Sequence, residues 1–252
     1  MKIISYIKRN KIKSAVALIL LIAYYFCLPK QLFTNPTATV IESNKGELLG
    51  AYIAKDGQWR FPHNDSIPEK FKECLILFED EYFYKHPGFN PVSIFKALRD
   101  NMSSGEVKRG GSTLTQQTIR LSRKGKARTY TEKFKEIILA TRLEFRYSKD
   151  EILAYYTSNA PFGGNVVGLD AASWRYFNRN ANDLSWAESA TLAVLPNAPS
   201  LIYPGKNQER LLTKRNRLLE KLLEKELIDS LTYELSIIEE LPQKPYPLPQ
   251  IA

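Results

Sequence analysis

Two carboxylate-bearing clusters flank a hydroxyl- and amide-rich run in this chain. The first is Glu79-Asp80-Glu81-Tyr82-Phe83-Tyr84-Lys85-His86-Pro87-Gly88, and the second is Lys133-Phe134-Lys135-Glu136. Between them runs Gly111-Ser112-Thr113-Leu114-Thr115-Gln116-Gln117. Carboxylates in unlike surroundings suit glycosyl transfer, where one moves a proton and another manages charge on the leaving side. Basic residues such as Arg120, Arg123, Lys124, Lys126 and Arg128 crowd between the clusters, so the expected substrate is anionic. A carboxylate beside apolar side chains has its charged form disfavoured, which moves it toward a useful base.

The elements that must position these groups are mostly helical. Ser66-Ile67-Pro68-Glu69 reads as a capping box with an early proline, and Phe71, Leu75, Phe78 and Tyr82 recur as one buried stripe with Glu79 at its edge, near the helix end. Thr129-Tyr130-Thr131-Glu132 reads as a second capping box, opening a helix with Phe134, Ile138, Thr141 and Phe145 on one side. A further helix begins at Ser148, Ala160 to Asn165 reads as a loop, and Ser185-Trp186-Ala187-Glu188 caps a helix ended by Pro196. Gln208 to Leu241 reads as one helical stretch whose leucines, like Trp174 and Trp186, pack in the core. Val40–Ser43 and Leu48–Ile53 flank Asn44-Lys45-Gly46-Glu47 as a hairpin, and Trp59–Phe61 adds a short strand. Residues 89 to 130 mix Phe89, Ile94, Phe95 and Leu98 with Lys108, Arg109 and the basic residues above, as a subdomain against a membrane face would.

With 252 residues, 44% hydrophobic and 25% charged, the chain has room for one large domain or two small ones. A formal charge of +9 implies an anionic partner or simple solubility. Cys27 and Cys74 encode no disulfide framework. Lys2, Lys8, Arg9, Lys11 and Lys13 precede an apolar run that, counted from Ile12 to Leu28, spans about 17 residues, or roughly 25 Å as a helix. It has no small-x-small cleavage site, and its aromatic end suits a membrane interface. It reads as an uncleaved single-pass anchor over residues 1–33, which puts the rest outside the cytoplasm and away from nucleic acid. Residues 34–241 form the main domain, and 242–252 hold prolines typical of a linker or tail.

These motifs resemble the signatures of the peptidoglycan glycosyltransferases, glycosyltransferase family 51. Glu79-Asp80-x-x-Phe83-x-x-His86-x-Gly88 resembles the first, Gly111-Ser112-Thr113-x-x-Gln116-Gln117 the second and Lys133-x-x-Glu136 most of the third. Leu184-Ser185-x-Ala187-Glu188-x-Ala190-x-Leu192-Ala193-x-Leu195-Pro196 resembles the fifth, with Tyr203-Pro204 following in register. Asp56-Gly57-Gln58-Trp59-Arg60 and Ala160–Asn165 look closest to the C-type branch of class A penicillin-binding proteins, here without their transpeptidase.

The resemblance implies a mainly α, lysozyme-like domain with a small N-terminal β element and a transmembrane helix, on the outer side of a bacterial cytoplasmic membrane. It implies polymerisation of lipid II into glycan strands, with Glu79 as general base and Glu136 at the donor side. Asp80, Phe83, His86, Gly88, Ser112, Thr113, Gln116, Gln117, Arg120, Arg128 and Lys133 would form the binding site, Arg120, Arg128 and Lys133 holding pyrophosphate. From the residues alone, His86 reads as structural and Ser112-Thr113 also as a helix cap. A divalent cation, magnesium or manganese, is implied at the pyrophosphate, with no organic cofactor. Implied partners are the growing glycan strand, the membrane, and a transpeptidase or other cell-wall synthase.

The chain departs from the family pattern at Glu132, where Arg is usual, and at Ala154 and Ser158, where Glu and Asn are usual. These departures leave a catalytically weak lipid II-binding module as the alternative, with a lysozyme-like glycan hydrolase behind it.

Overall fold

The structure, a computed structural model, describes residues 10–104, 111–124, 126 and 129–249. Lys108, Arg109 and Arg128 lie outside the described residues. Ten helices and five short strands occur among the described residues. The helices are α1 (Lys11–Phe26), α2 (Glu69–Glu79), α3 (Pro91–Ser104), α4 (Leu114–Ser122), α5 (Tyr130–Glu144), α6 (Lys149–Asn159), α7 (Leu169–Phe177), α8 (Trp186–Val194), α9 (Gln208–Glu224) and α10 (Ser230–Ile238). The strands are β1 (Thr39–Glu42), β2 (Leu48–Tyr52), β3 (Trp59–Arg60), β4 (Pro161–Gly163) and β5 (Val166–Val167).

The core is organised by α8, whose residues Ala187 through Val194 are all buried, as expected of a helix apolar on every side. Helices α2, α7, α9 and α10 pack against it. A second group, α4 with α5 and α6, completes the body. The Ser185–Glu188 capping box forms in full, the Ser185 side chain accepting from Glu188 N–H and the Glu188 carboxylate accepting from Ser185 N–H.

Other local readings change. Helix α2 starts at Glu69 with no side-chain cap, while Ser66 N–H is donated to Asn64 Oδ1. Phe71 and Leu75 are buried, but Tyr82 lies past the helix end and is 47% exposed. The leucine-rich stretch is two helices, broken where Glu226 turns left-handed and Asp229 caps α10. Leu211, Leu218, Leu219 and Leu222 are core, whereas Leu212 of α9, Leu227 of the connection and Leu231 and Leu235 of α10 are exposed. Trp174 and Trp186 are half-buried at the core's edge. The stretch read as a loop is two short strands, Pro161–Gly163 and Val166–Val167, joined by a turn at Gly164-Asn165: β5 pairs parallel with β3 and antiparallel with β4. β1 and β2 form the expected antiparallel hairpin.

The proline-rich tail is docked, with Leu248 buried, Pro249 O accepting from Ala51 N–H and Tyr246 N–H donated to Arg175 O. At the other end, α1 has 16 residues and no buried side chain. No described helix is long and apolar enough to cross a membrane. The end of α1 is nevertheless fixed to α5: Tyr24 O–H reaches Thr141 Oγ1 at 3.1 Å and Arg142 Nε donates to Tyr25 O at 3.1 Å. The expected stripe of α5 exists, but it faces outward, with Tyr130, Phe134, Ile138 and Phe145 exposed.

Candidate active site

The loop from Glu79 to Gly88 opens as α2 ends. Glu79 is the last residue of α2, and Asp80 caps it in a non-helical conformation. That change of direction separates three consecutive acids. Glu81 reaches Lys225 at 2.6 Å on the surface. Asp80 turns inward, accepting from Leu114 N–H at 2.9 Å and lying 3.0 Å from His86 Nε2. Its charge sits at the N-terminus of α4, where the helix dipole favours an anion. His86 Nδ1 accepts from Gly88 N–H at 3.2 Å, so the imidazole carries its proton on Nε2 and donates it to Asp80.

Five of the residues that match the first two motifs therefore build the frame. Besides Asp80 and His86, Phe83 is fully buried beneath Lys149 Nζ, which lies 4.4 Å from its ring centroid. Thr113 caps α4, accepting from Gln116 N–H and donating to Gly88 O at 2.7 Å. Gly88 has φ near +90°, and a Cβ there would lie 2.8 Å from the carbonyl carbon and oxygen of Ala140. Only glycine permits that backbone contact between the loop and α5.

Two consecutive glutamines on α4 then hold the remaining acids. Gln117 Nε2 donates to Glu79 Oε2 at 2.7 Å. The other oxygen, Oε1, is buried without a hydrogen-bond partner among the described residues. Burial raises the Glu79 pKa above the ordinary carboxylate range. The Gln117 bond and the charges of Arg120 and Lys214 pull it back, and Asp80 pushes it slightly up. Tyr156 O–H lies 3.5 Å from Gln117 Oε1, and burial, with the charge of Glu79, keeps that phenol neutral.

Gln116 serves the second station. Its Oε1 accepts from Lys133 Nζ at 2.8 Å, while its Nε2 is buried without a partner among the described residues. Lys133 Nζ also donates to Ser112 Oγ at 2.6 Å and reaches Glu136 Oε2 at 3.2 Å. Ser112, Gln116, Lys133 and Glu136 thus form one cluster, a cation held by three oxygens. Such a cation is preorganised for an anionic oxygen, since its orientation needs no adjustment when charge develops.

Glu132 does not oppose Glu136. Its carboxylate is bound by Arg123 at 2.7 Å and Lys135 at 3.0 Å, and these bonds lower its pKa. It therefore does not fold back to complete the Thr129 capping box, although Thr129 Oγ1 still accepts from Glu132 N–H. Ala154 is packed in the core at 1% exposure, and Ser158 bonds the segment around His63. Sequence reasoning missed Tyr156 and Lys214. Tyr156 stands within the stretch compared with the fourth signature, but Lys214 lies in an alternating-charge helix that carried no signal.

For a divalent cation the donor set is poor. Glu136 is already paired with Lys133, and no group of three or more His, Cys, Asp or Glu side chains able to hold a metal occurs among the described residues. A hard cation prefers six or more oxygens, so this protein surface alone does not supply a cage.

A family model described as transglycosylase matches residues 45–223. Penicillin-binding protein 1C of Escherichia coli (strain K12) is 41% identical over 189 residues, covering 75% of this chain and 24% of the relative. Penicillin-binding protein 1F of Bacillus subtilis (strain 168) is 36% identical over 198 residues, covering 76% of this chain and 27% of the relative. A crystal structure of Penicillin-Binding Protein 1A from Haemophilus influenzae covers 86% of this chain and 22% of that one at 19% identity, and its TM-score of 0.48 is too low to carry weight. The chain spans about a quarter of the length of the curated relatives it matches.

Proposed function

The chain belongs to the transglycosylase family, and from that premise we propose that it is a peptidoglycan glycosyltransferase. It polymerises lipid II into β-1,4-linked glycan strands. In the reaction, Glu79 takes the proton from the acceptor 4-hydroxyl as that oxygen attacks the anomeric carbon of the growing strand. The new C–O bond forms as the bond to pyrophosphate breaks, the anomeric centre inverts, and undecaprenyl pyrophosphate leaves. Lys133, held by Ser112, Gln116 and Glu136, meets the developing charge on the leaving group, with Arg120 and Arg128 as further cations. A magnesium or manganese ion would be a companion of the pyrophosphate that helps neutralise it, since the described protein groups form no cage of their own, and the residue roles above do not depend on it.

The observation that carries this reading is Glu79 itself. It is buried, raised in pKa and held by one oxygen, with the other left without a partner among the described residues. A base matched to its task needs that combination of a perturbed pKa and an open lone pair. The apolar side chains exposed on α1, with Val92 and Phe95 of α3 and the outer stripe of α5, support attachment to the membrane that carries the substrate. The part played by any transpeptidase partner follows from the same reading.

Incubation of the purified chain with labelled lipid II and a divalent cation tests the proposal. Long strands from the parent, lost in Glu79→Gln and strongly reduced in Lys133→Ala, are the expected result. Binding without product would leave only a lipid II-binding module, and shortening of preformed glycan would make the enzyme a hydrolase.

A further inference from the structure

A cavity lined by both polar and apolar side chains lies away from the acid stations and shares none of their residues. It holds about 460 Å³ between the stretch leaving α1, the strand β3 with the residues after it, and the last turn of α6. Arg146 fixes its rim, donating to Pro29 O and Lys30 O at 2.6 Å each.

The charge around this cavity is unbalanced. Arg60 lies in its wall at 3% exposure. Its Nη1 donates to Pro36 O at 2.5 Å and Asp56 Oδ2 at 2.9 Å, but Nε and Nη2 are buried without a partner among the described residues. A guanidinium cannot shed its charge, and donors left unpaired away from water are expensive enough to require an explanation. Lys30 lines the same cavity. Lys124 stands close enough that Arg60, after burial, contributes to lowering its pKa.

The lining also includes His63, stacked on Tyr155 at 4.9 Å. Its Nδ1 lies 3.0 Å from Ser158 Oγ and its Nε2 3.0 Å from Asp65 Oδ1. This row has the order of a nucleophilic triad. However, Ser158 Oγ also accepts from Asn64 N–H at 3.4 Å, and the Asp65 side chain is 85% exposed. An acid so solvated does little to polarise a histidine, so the row is not an activated nucleophile.

We propose that this cavity is a second anion site, taking a phosphate oxyanion between Lys30, Arg60 and His63. Tetrahedral phosphate supplies the acceptors that the Arg60 donors lack, and a guanidinium matches it geometrically. Its charge offsets Lys30, Arg60 and Lys124, which outnumber Asp56 and Asp65. Free phosphate and the headgroup of an anionic phospholipid offer the same chemistry, and the site's place beside the end of α1 suits both.

The chain has two histidines, so ring resonances resolve the site directly. The full chain, labelled at histidine and held in detergent at fixed pH and ionic strength, is titrated with inorganic phosphate. His63→Gln assigns the signals. A saturable shift at His63 with His86 unmoved is expected. It should persist in Lys133→Ala and weaken by about tenfold or more in Lys30→Gln/Lys124→Gln, which changes exposed side chains only.

Parallel additions of phosphatidylglycerol and phosphatidylcholine vesicles separate the sources. A response to phosphatidylglycerol at lower phosphate concentration supports the site and assigns the lipid, whereas saturation by free phosphate alone supports it and assigns the solute. A shift that does not saturate, one that Lys133→Ala abolishes, one left unchanged in the double variant, or no shift with either ligand overturns the proposal.

Discussion

Replacing Gln117 by Ala should move the acid limb of glycosyl transfer to higher pH without removing the base. Gln117 Nε2 donates to Glu79 Oε2 at 2.7 Å, and this bond is the largest of the influences that oppose burial at that carboxylate. A hydrogen bond to a charged acceptor contributes roughly 1.5–3 kcal/mol to the ionised form. At 1.36 kcal/mol per tenfold, its loss lowers the ionised fraction on the order of 10- to 100-fold wherever the group is titrating. The sign follows from the role. A general base acts deprotonated, so kcat/KM rises with pH through the base's pKa, and a variant with a higher pKa is impaired most at low pH. The gap should narrow as pH rises and both enzymes become fully ionised. The assay is kcat/KM for labelled lipid II across pH, with circular dichroism confirming that the variant remains folded. A loss of equal size at every pH would refute the reasoning and make Gln117 a substrate contact. An unmoved limb would show that the proton is taken elsewhere.

Further expectations follow from the same geometry. Because burial raises Glu79 in the folded state, the native chain binds that proton more tightly than the unfolded chain, so stability falls as pH rises between the two pKa values. Glu79→Gln should therefore melt above the parent at pH 8, by about 2–4 °C for each kcal/mol relieved, while polymerisation disappears; a lower melting temperature there contradicts the burial account. Gly88→Ala forces a side chain at φ near +90° against the Ala140 carbonyl, and chemical denaturation should record a loss of roughly 1–3 kcal/mol. Glu132→Gln should leave polymerisation within about twofold of the parent, since its charge is held on the solvent side by Arg123 and Lys135 and is screened from Glu136; a large gain or loss in the same assay would place that charge in the site.

Much of the helical architecture was readable because local rules act over one turn. The Ser185 box and the hairpin at Gly46 each depend on neighbours within a few residues. Where sequence reading failed, the deciding contacts were distant. Val166–Val167 becomes a strand, with Pro161–Gly163 paired beyond it, because β3 lies alongside, about a hundred positions earlier in the chain. The leucines of α10 carry a core-like pattern, yet no element among the described residues covers them. Glu132 looked like a capping partner until Arg123 and Lys135 competed for its carboxylate.

The order and spacing of the motif residues determined by themselves that an acid pair, a hydroxyl-amide run and basic side chains belong to one family of chemistry. Tertiary structure alone decided how those residues divide the labour. Asp80, Phe83, His86, Gly88 and Thr113 lock the loop to α4 and α5, while Glu79 keeps a carboxylate raised by burial and Lys133 is held by Ser112, Gln116 and Glu136. The physical reason is that burial and pairing, which set a carboxylate's proton affinity, arise only when α2, α4, α5 and α6 meet.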